Sequence, residues 1–177
     1  GGSSTQIIER DIRAAIADPL VNQIILSIDS PGGTVDGTFE LSNLICESRE
    51  KKKIIAYVDG SAYSAAYAIA SAASAVYLSS EAASVGSIGV VAAHEDISKW
   101  EERMGVKTTE IFAGRYKRAA SQYRPLSEEG QKSIQDEVDY LFSVFVDSVS
   151  RNRGVAAETV FSTMSTVLRV GEWASCT

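Results

Sequence analysis

The sequence predicts an α/β fold with a largely parallel sheet, and two observations carry that expectation. Short β-branched runs alternate along the chain with segments whose apolar residues recur at helical spacing. Most runs end in a turn rich in glycine, serine or proline, the strand–turn–helix order that builds parallel sheets. At 177 residues one compact domain with a sizeable core is the default, and neither a linker nor an internal repeat interrupts it.

Ile7, Ile8, Ile12, Ala15 and Ile16 mark a first helix, which Asp18-Pro19 stops. Gln23 to Ile28 reads as a strand closed by Asp29-Ser30-Pro31-Gly32-Gly33. A helix carrying Phe39, Leu41, Leu44 and Ile45 follows, and Lys51-Lys52-Lys53 reads as a solvated loop. Ile54 to Val58 is a buried strand by composition, leading into the alanine-rich stretch Asp59 to Ala70. Ala75 to Leu78 is a further strand, and Gly86-Ser87-Ile88-Gly89-Val90-Val91 a turn feeding an extended segment. A polar helix spans Ile97 to Met104 and ends at Gly105, a natural position for a left-handed residue. Lys107 to Phe112 has strand composition, and Ala113 to Pro125 forms a long loop rich in Arg, Lys and Tyr. Ser127 then caps a long helix with one apolar stripe: Ile134, Val138, Leu141, Phe142, Phe145, Val146 and Val149.

Composition narrows the function. The hydrophobic fraction of 45% is ordinary for a globular chain and argues against disorder. A formal net charge of −6 argues against a general nucleic-acid surface, so a protein or small-molecule partner is expected. Cys46 and Cys176 lie far apart and read as free thiols, and with His94 the sole histidine a Cys/His zinc site is not expected. No apolar run reaches the length of a membrane span, and no signal peptide is evident. The opening Gly1-Gly2-Ser3-Ser4 is of the kind left when a chain is cut from something longer.

Chemistry concentrates at three turns. Ser64 falls where a strand becomes a helix, so backbone N–H groups beside its hydroxyl can stabilise a developing oxyanion. The bland alternative is a serine that only caps that helix. Pro31-Gly32-Gly33 supplies flexible backbone whose N–H groups can face an anion, and equally can be a tight turn. Ser87 offers a second hydroxyl at a third turn. Two residues can serve as base: His94, the one imidazole, or Lys117, flanked by Tyr116 and Arg118. A lysine takes up a proton only as the free amine, which burial or a nearby cation favours.

Asp29-Ser30-Pro31-Gly32-Gly33, Tyr63-Ser64-Ala65-Ala66-Tyr67, Gly86-Ser87-Ile88-Gly89-Val90 and Gly114-Arg115-Tyr116-Lys117 occur in this order. The set resembles the signal peptide peptidase A family of serine peptidases, most closely its phage branch, which processes capsid or scaffold proteins during head assembly. The resemblance runs from about Ile7 to Ser165. It implies a ClpP/crotonase-like spiral of strand-turn-helix units in a single domain, residues 1–177. It also implies Ser64 as nucleophile, Lys117 as general base and Ser87 as the residue orienting the lysine. Gly32 and Gly33 match oxyanion-hole positions, and the N–H of Ala65 is a further donor there. Family activity requires no metal or cofactor and goes with homo-oligomers acting on protein or peptide substrates, signal peptides or capsid and scaffold proteins.

Departures from the family pattern are local. Ala65 and Ala66 stand where Gly-Gly often follows the nucleophile, and the Ser64–Ser87 interval is one residue longer, near Ser79 to Ala83. The tail Leu168 to Ala174 resembles the closing family motif and then stops, so a final strand or helix is expected to be missing or divergent. Ala and Tyr dominate around Ser64, which favours extended, small or apolar substrate side chains. Two rival readings remain: a ClpP-like peptidase pairing Ser64 with His94 and Glu95 or Asp96, and an inactive assembly or scaffold subunit. A hydratase-like enzyme of the same broad fold has no use for the Ser64, Ser87 and Lys117 set.

Overall fold

The computed structural model describes residues 3–114, 116–163 and 167–169. In chain order these form α1 (Thr5–Ala17), β1 (Gln23–Ser30), α2 (Thr38–Ser48), β2 (Lys53–Tyr63), α3 (Ala65–Ser71) and β3 (Ala75–Leu78). Then come β4 (Ser84–Gly86), α4 (Ser98–Met104), α5 (Glu128–Arg153), α6 (Ala157–Thr163) and β5 (Val167–Arg169). The described residues divide into two compact units, one within Gly1–Gly89 and Val144–Thr177, the other Val90–Ser143.

In the first unit β2 is the central strand. It pairs in parallel with β1 on one edge, and on the other with β3 along Ile55–Val58 and with β4 along Ser61–Tyr63. β5 adds an antiparallel partner to β4. Strand alternation puts Ile54, Ala56 and Val58 on one face of β2, and all three are fully buried. They share a core with Leu41 and Ile45 of α2, Ala66, Ala68 and Ala70 of α3, and Phe145, Val146 and Val149 of α5. Phe39 meets Phe145 edge to face, with ring centroids 5.8 Å apart. Truncating Ile45 or Ile54 to alanine would cost about 2–5 kcal/mol, because a cavity would remain in a close-packed interior.

A buried polar network fixes α3 within that core. Asn152 Nδ2 donates to Ser42 Oγ at 2.9 Å and to Ser71 Oγ at 3.0 Å. Both hydroxyls in turn donate to the Ala68 carbonyl, at 2.9 and 2.8 Å. Among the described residues no buried side-chain polar atom lacks a partner, so the network carries no desolvation penalty from an orphaned group. The helix after Ser64 is therefore held by directed bonds as well as by its small apolar side chains.

The β1–β2 ladder breaks near its end. Ile28 pairs with Val58, but Ser30 pairs with Ala62, so β2 carries two extra residues across the break. The excess falls at Asp59-Gly60-Ser61, where Gly60 has φ +124°. Such a bulge bends its strand and re-aims the residues that follow. Here those residues are Ala62, Tyr63 and Ser64.

In the second unit α4 ends at Gly105, whose φ of +69° is the expected left-handed stop. Ser127 Oγ accepts the Gly130 N–H at 3.1 Å at the start of α5, a true side-chain cap. Of the apolar stripe on α5, Phe145, Val146 and Val149 are buried, while Ile134, Val138, Leu141 and Phe142 are half-buried. The expected strand at Lys107–Phe112 is absent: the segment is irregular, and Ile111 is 97% exposed. β propensity needs a neighbouring strand to be realised, and Glu110 instead binds Arg118 and Ser121 side chains. The segment after Ser87 likewise joins no ladder. No described helix is long and apolar enough to cross a membrane. Cys46 is a half-buried free thiol, whereas Cys176 and most of the closing motif, residues 170–174, lie outside the described residues.

Candidate active site

Ser64 joins β2 to α3 in an unusual backbone conformation, φ +51° and ψ −123°. A residue with a Cβ avoids positive φ, and holding one there costs on the order of 1–3 kcal/mol, so surrounding contacts must enforce it. The Ser64 N–H donates to the Gly86 carbonyl at 2.9 Å, and its own carbonyl accepts from Tyr67 and Ala68 at 2.9 and 3.1 Å. Its side chain makes no capping bond to α3. Ser64 and Ser127 thus differ sharply: one hydroxyl caps a helix, while the other, half-buried, is left available at a strained turn. A sharp strand-to-helix turn of this kind presents a nucleophile clear of its neighbours.

Gly32 lies directly against that turn. A Cβ at Gly32 would stand 2.8 Å from Ser64 Cβ, 2.8 Å from the Tyr63 carbonyl oxygen and 3.3 Å from the Ala65 nitrogen. The small space in front of the Ala65 N–H, at the first position of α3, therefore exists because residue 32 has no side chain. The Gly32 N–H itself is used, donating to Ser30 Oγ at 3.2 Å. Of the two glycines, Gly33 keeps the N–H that is the better candidate donor, and its surroundings are open. Ser30 holds this turn through a side-chain bond typical of residues that precede tight turns.

Ser87 follows immediately after the Gly86 carbonyl that receives the Ser64 N–H. It also has positive φ, +53°, and its side chain is exposed. Parallel pairing of β2 with β4 aligns Tyr63 with Gly86, so Ser64 and Ser87 leave adjacent strand ends. Tyr63 reinforces the pairing, its phenol 2.5 Å from Ser84 Oγ. Gly32, Gly33, Ser64, Ala65 and Ser87 thus gather at the ends of the parallel strands β1, β2 and β4, where open α/β sheets place their sites.

Lys117 belongs to the second unit. It is exposed on a turn begun by Gly114, whose carbonyl accepts the Lys117 N–H at 3.3 Å. Gly114 has φ +99° and lies beside the lysine stem, 3.5 Å separating its would-be Cβ from Lys117 Cγ. The next residue, Arg118, is anchored: its Nε and second guanidinium nitrogen reach Glu110 Oε2 at 2.7 and 2.6 Å. Ser121 Oγ donates to the same oxygen at 2.7 Å, and the Arg118 guanidinium lies 4.8 Å over the Phe112 ring. The Ser121 hydroxyl and the Arg118 guanidinium hold the Glu110 carboxyl below the usual carboxylate range. Sequence reasoning missed this anchor, although Glu110, Arg118 and Ser121 are all visible there as polar residues bracketing the loop.

His94 is committed elsewhere within the second unit. Its Nε2 lies 3.0 Å from the Ser121 carbonyl, which fixes that nitrogen as the N–H donor. Asp96 accepts the Ser98 N–H at 2.9 Å at the start of α4, and hydrogen bonding by Ser98 holds its carboxyl below the usual range. Glu95 is exposed.

Known proteins share both the sequence and the fold. Capsid assembly protease C of Escherichia phage lambda is 33% identical over 156 residues, 88% of this chain and 35% of that protein. Head-tail preconnector protein GP5 of Enterobacteria phage P21 is 31% identical over 156 residues, 88% of this chain and 31% of that protein. The chain thus spans about a third of the length of these curated relatives. Among solved structures, a peptidase from Plasmodium falciparum superposes with a TM-score of 0.55 at 11% identity, covering 97% of this chain and 84% of that one. That likeness shows a shared α/β fold. Residues 47–170, which include Ser64, Ser87 and Lys117, match the family pattern of peptidase family S49, and the chain belongs to that family.

Proposed function

We propose that the chain, read as one peptidase domain over residues 1–177, is a serine endopeptidase in which Ser64 attacks and Lys117 is the general base. The observation that carries this reading is the Ser64 turn: a non-glycine residue at φ +51° whose hydroxyl caps nothing, with Gly32 clearing the space before the Ala65 N–H. A structural serine has no need of either feature. Membership of a peptidase family supports the same reading.

Ser64 Oγ adds to the carbonyl carbon of the scissile bond while Lys117, as general base, takes its proton. The resulting oxyanion is stabilised by the N–H groups of Ala65 and Gly33, each donor being worth about 2.7–4 kcal/mol of barrier. The Lys117 ammonium then protonates the departing amine, and the acyl group remains on Ser64. Water attacks that ester, yields its proton to Lys117, and releases the acid as the proton returns to Ser64. The family resemblance gives Ser87 the role of orienting the lysine. No metal or cofactor enters any step.

The substrate is a protein segment bound in extended form with small or apolar side chains beside Ser64. The names of the relatives, a capsid assembly protease, a head-tail preconnector protein and a putative signal peptide peptidase of Enterococcus faecium, point to capsid, scaffold or signal-peptide chains. The active form is a homo-oligomer. The His94 alternative loses support because Nε2 is engaged by Ser121 and the Asp96 carboxylate starts α4. Ser64→Ala and Lys117→Ala should each abolish turnover of an unfolded protein substrate while the fold survives. Retained turnover in Ser64→Ala contradicts the nucleophile, and a wild-type rate in Lys117→Ala returns His94 to consideration.

A further inference from the structure

The break in the β1–β2 ladder is held by one side chain that the catalytic reading leaves unused. Asp29 Oδ1 accepts the Ser61 N–H at 3.0 Å and the Ser61 hydroxyl at 3.2 Å. Its carboxylate lies directly over Gly60: a Cβ there would stand 2.5 Å from Oδ1 and 2.8 Å from Cγ. Gly60 is therefore required twice, once for its φ of +124° and once to seat the carboxylate. These contacts coincide with the two-residue slip between the Ile28–Val58 and Ser30–Ala62 pairs. Asp29 stands three residues before Gly32, and Ser61 three residues before Ser64.

We infer that Asp29 is a positioning residue for the candidate active site: its carboxylate clamps the Gly60–Ser61 bulge and so fixes the Gly32 turn against the Ser64 turn. The inference rests on the reading of Ser64 as nucleophile. A bulge without a fixed partner can relax toward regular pairing, and with period-2 alternation any one-residue slip of β2 turns its side chains to the opposite face. β1 and β2, which lead to Gly32 and Ser64, both leave from the Asp29–Ser61 contact, so slack there moves Gly32 and Ser64 relative to each other. The clamp needs acceptor oxygen at this point rather than negative charge, because its two donors are a backbone amide and a hydroxyl. Asparagine can supply that oxygen, and alanine cannot.

The test compares wild type, Asp29→Ala, Asp29→Asn and Gly60→Ala in hydrolysis of an unfolded protein substrate. Amide hydrogen exchange of the segment 59–66 is followed in parallel. Asp29→Ala and Gly60→Ala should lower kcat about ten- to hundredfold with KM little changed, the scale expected when reacting groups are misplaced by about an ångström. Asp29→Asn should recover most of the loss. Exchange should rise across 59–66 in the two damaging variants while α1 and α5 stay protected. The inference is overturned if Asp29→Ala keeps the wild-type kcat, or if asparagine fails to rescue. It is also overturned if exchange rises throughout the core, which would mean general destabilisation. Should the wild type itself show no turnover, the nucleophile reading fails, and the exchange pattern alone still decides whether Asp29 clamps the bulge.

Discussion

Gly32 approaches Ser64 so closely that a methyl group on Gly32 would stand 2.8 Å from Ser64 Cβ. No real side chain tolerates that separation, so the closeness of the two turns depends on glycine at this position. Gly32 also has φ +106°, and Gly32→Ala would add backbone strain to the clash. The variant should lose about 1–3 kcal/mol of stability by denaturant unfolding and at least about a hundredfold in kcat. At Gly33 a Cβ meets nothing within 4 Å, so Gly33→Ala should leave stability within about 0.5 kcal/mol of wild type. Equal destabilisation by the two substitutions would contradict the assigned crowding.

Ser64 carries strain that glycine would release. Ser64→Gly should raise stability by about 1 kcal/mol, since glycine adopts φ +51° freely and no side-chain cap is lost. It should also remove activity. A stability gain coupled to dead catalysis is the behaviour of a strained functional position, whereas a packing serine would lose stability on the same change. Urea unfolding of the two proteins decides between them.

Ser87 is exposed, so its removal should leave the fold intact. Ser87→Ala should unfold within about 0.5 kcal/mol of wild type. Its kcat should fall about ten- to hundredfold, the equivalent of one hydrogen bond worth about 1–3 kcal/mol to the reacting lysine. Unchanged kcat would rule out this role for Ser87.

Glu110 should make the Lys117 loop sensitive to acid. Its carboxyl titrates lower in the folded chain than in the unfolded one, held down by the Ser121 hydroxyl and Arg118. Its contribution is therefore complete above the unfolded value, about 4.3, and is lost as the pH falls through the lower folded value. Glu110→Gln should lower activity at neutral pH by loosening Arg118 and its neighbour Lys117. It should also flatten the acid limb of a stability profile taken between pH 5 and pH 2. An unaltered acid limb would show that another carboxylate governs it.

The elements that could be read from sequence were those fixed by local chemistry. Ile54, Ala56 and Val58 announced a buried strand by composition, Gly105 a helix stop, and Ser127 a cap, because each depends on neighbours within a few residues. Lys107–Phe112 shows the limit. Its residues suit a strand, but strands exist only in pairs, and Glu110 found Arg118 and Ser121 in place of a ladder. In the candidate site, Ser64, Ser87 and the glycine pair were legible as ordered motifs at turns. The slip that aims Ser64 was not, since a register belongs to two strands and Gly60 alone does not reveal it. For the same reason Asp29 could be seen as part of a turn motif, but its hold on Ser61 could not.

Reaction of the full chain with a fluorophosphonate, followed by intact mass and peptide mapping over time, tests whether Ser64 is a nucleophile activated by Lys117. A single adduct should form on Ser64 in the wild type and none in Ser64→Ala, and labelling of Lys117→Ala should be slowed at least about a hundredfold, the scale of general-base catalysis. An adduct on another residue, or wild-type labelling of Lys117→Ala, would overturn that assignment.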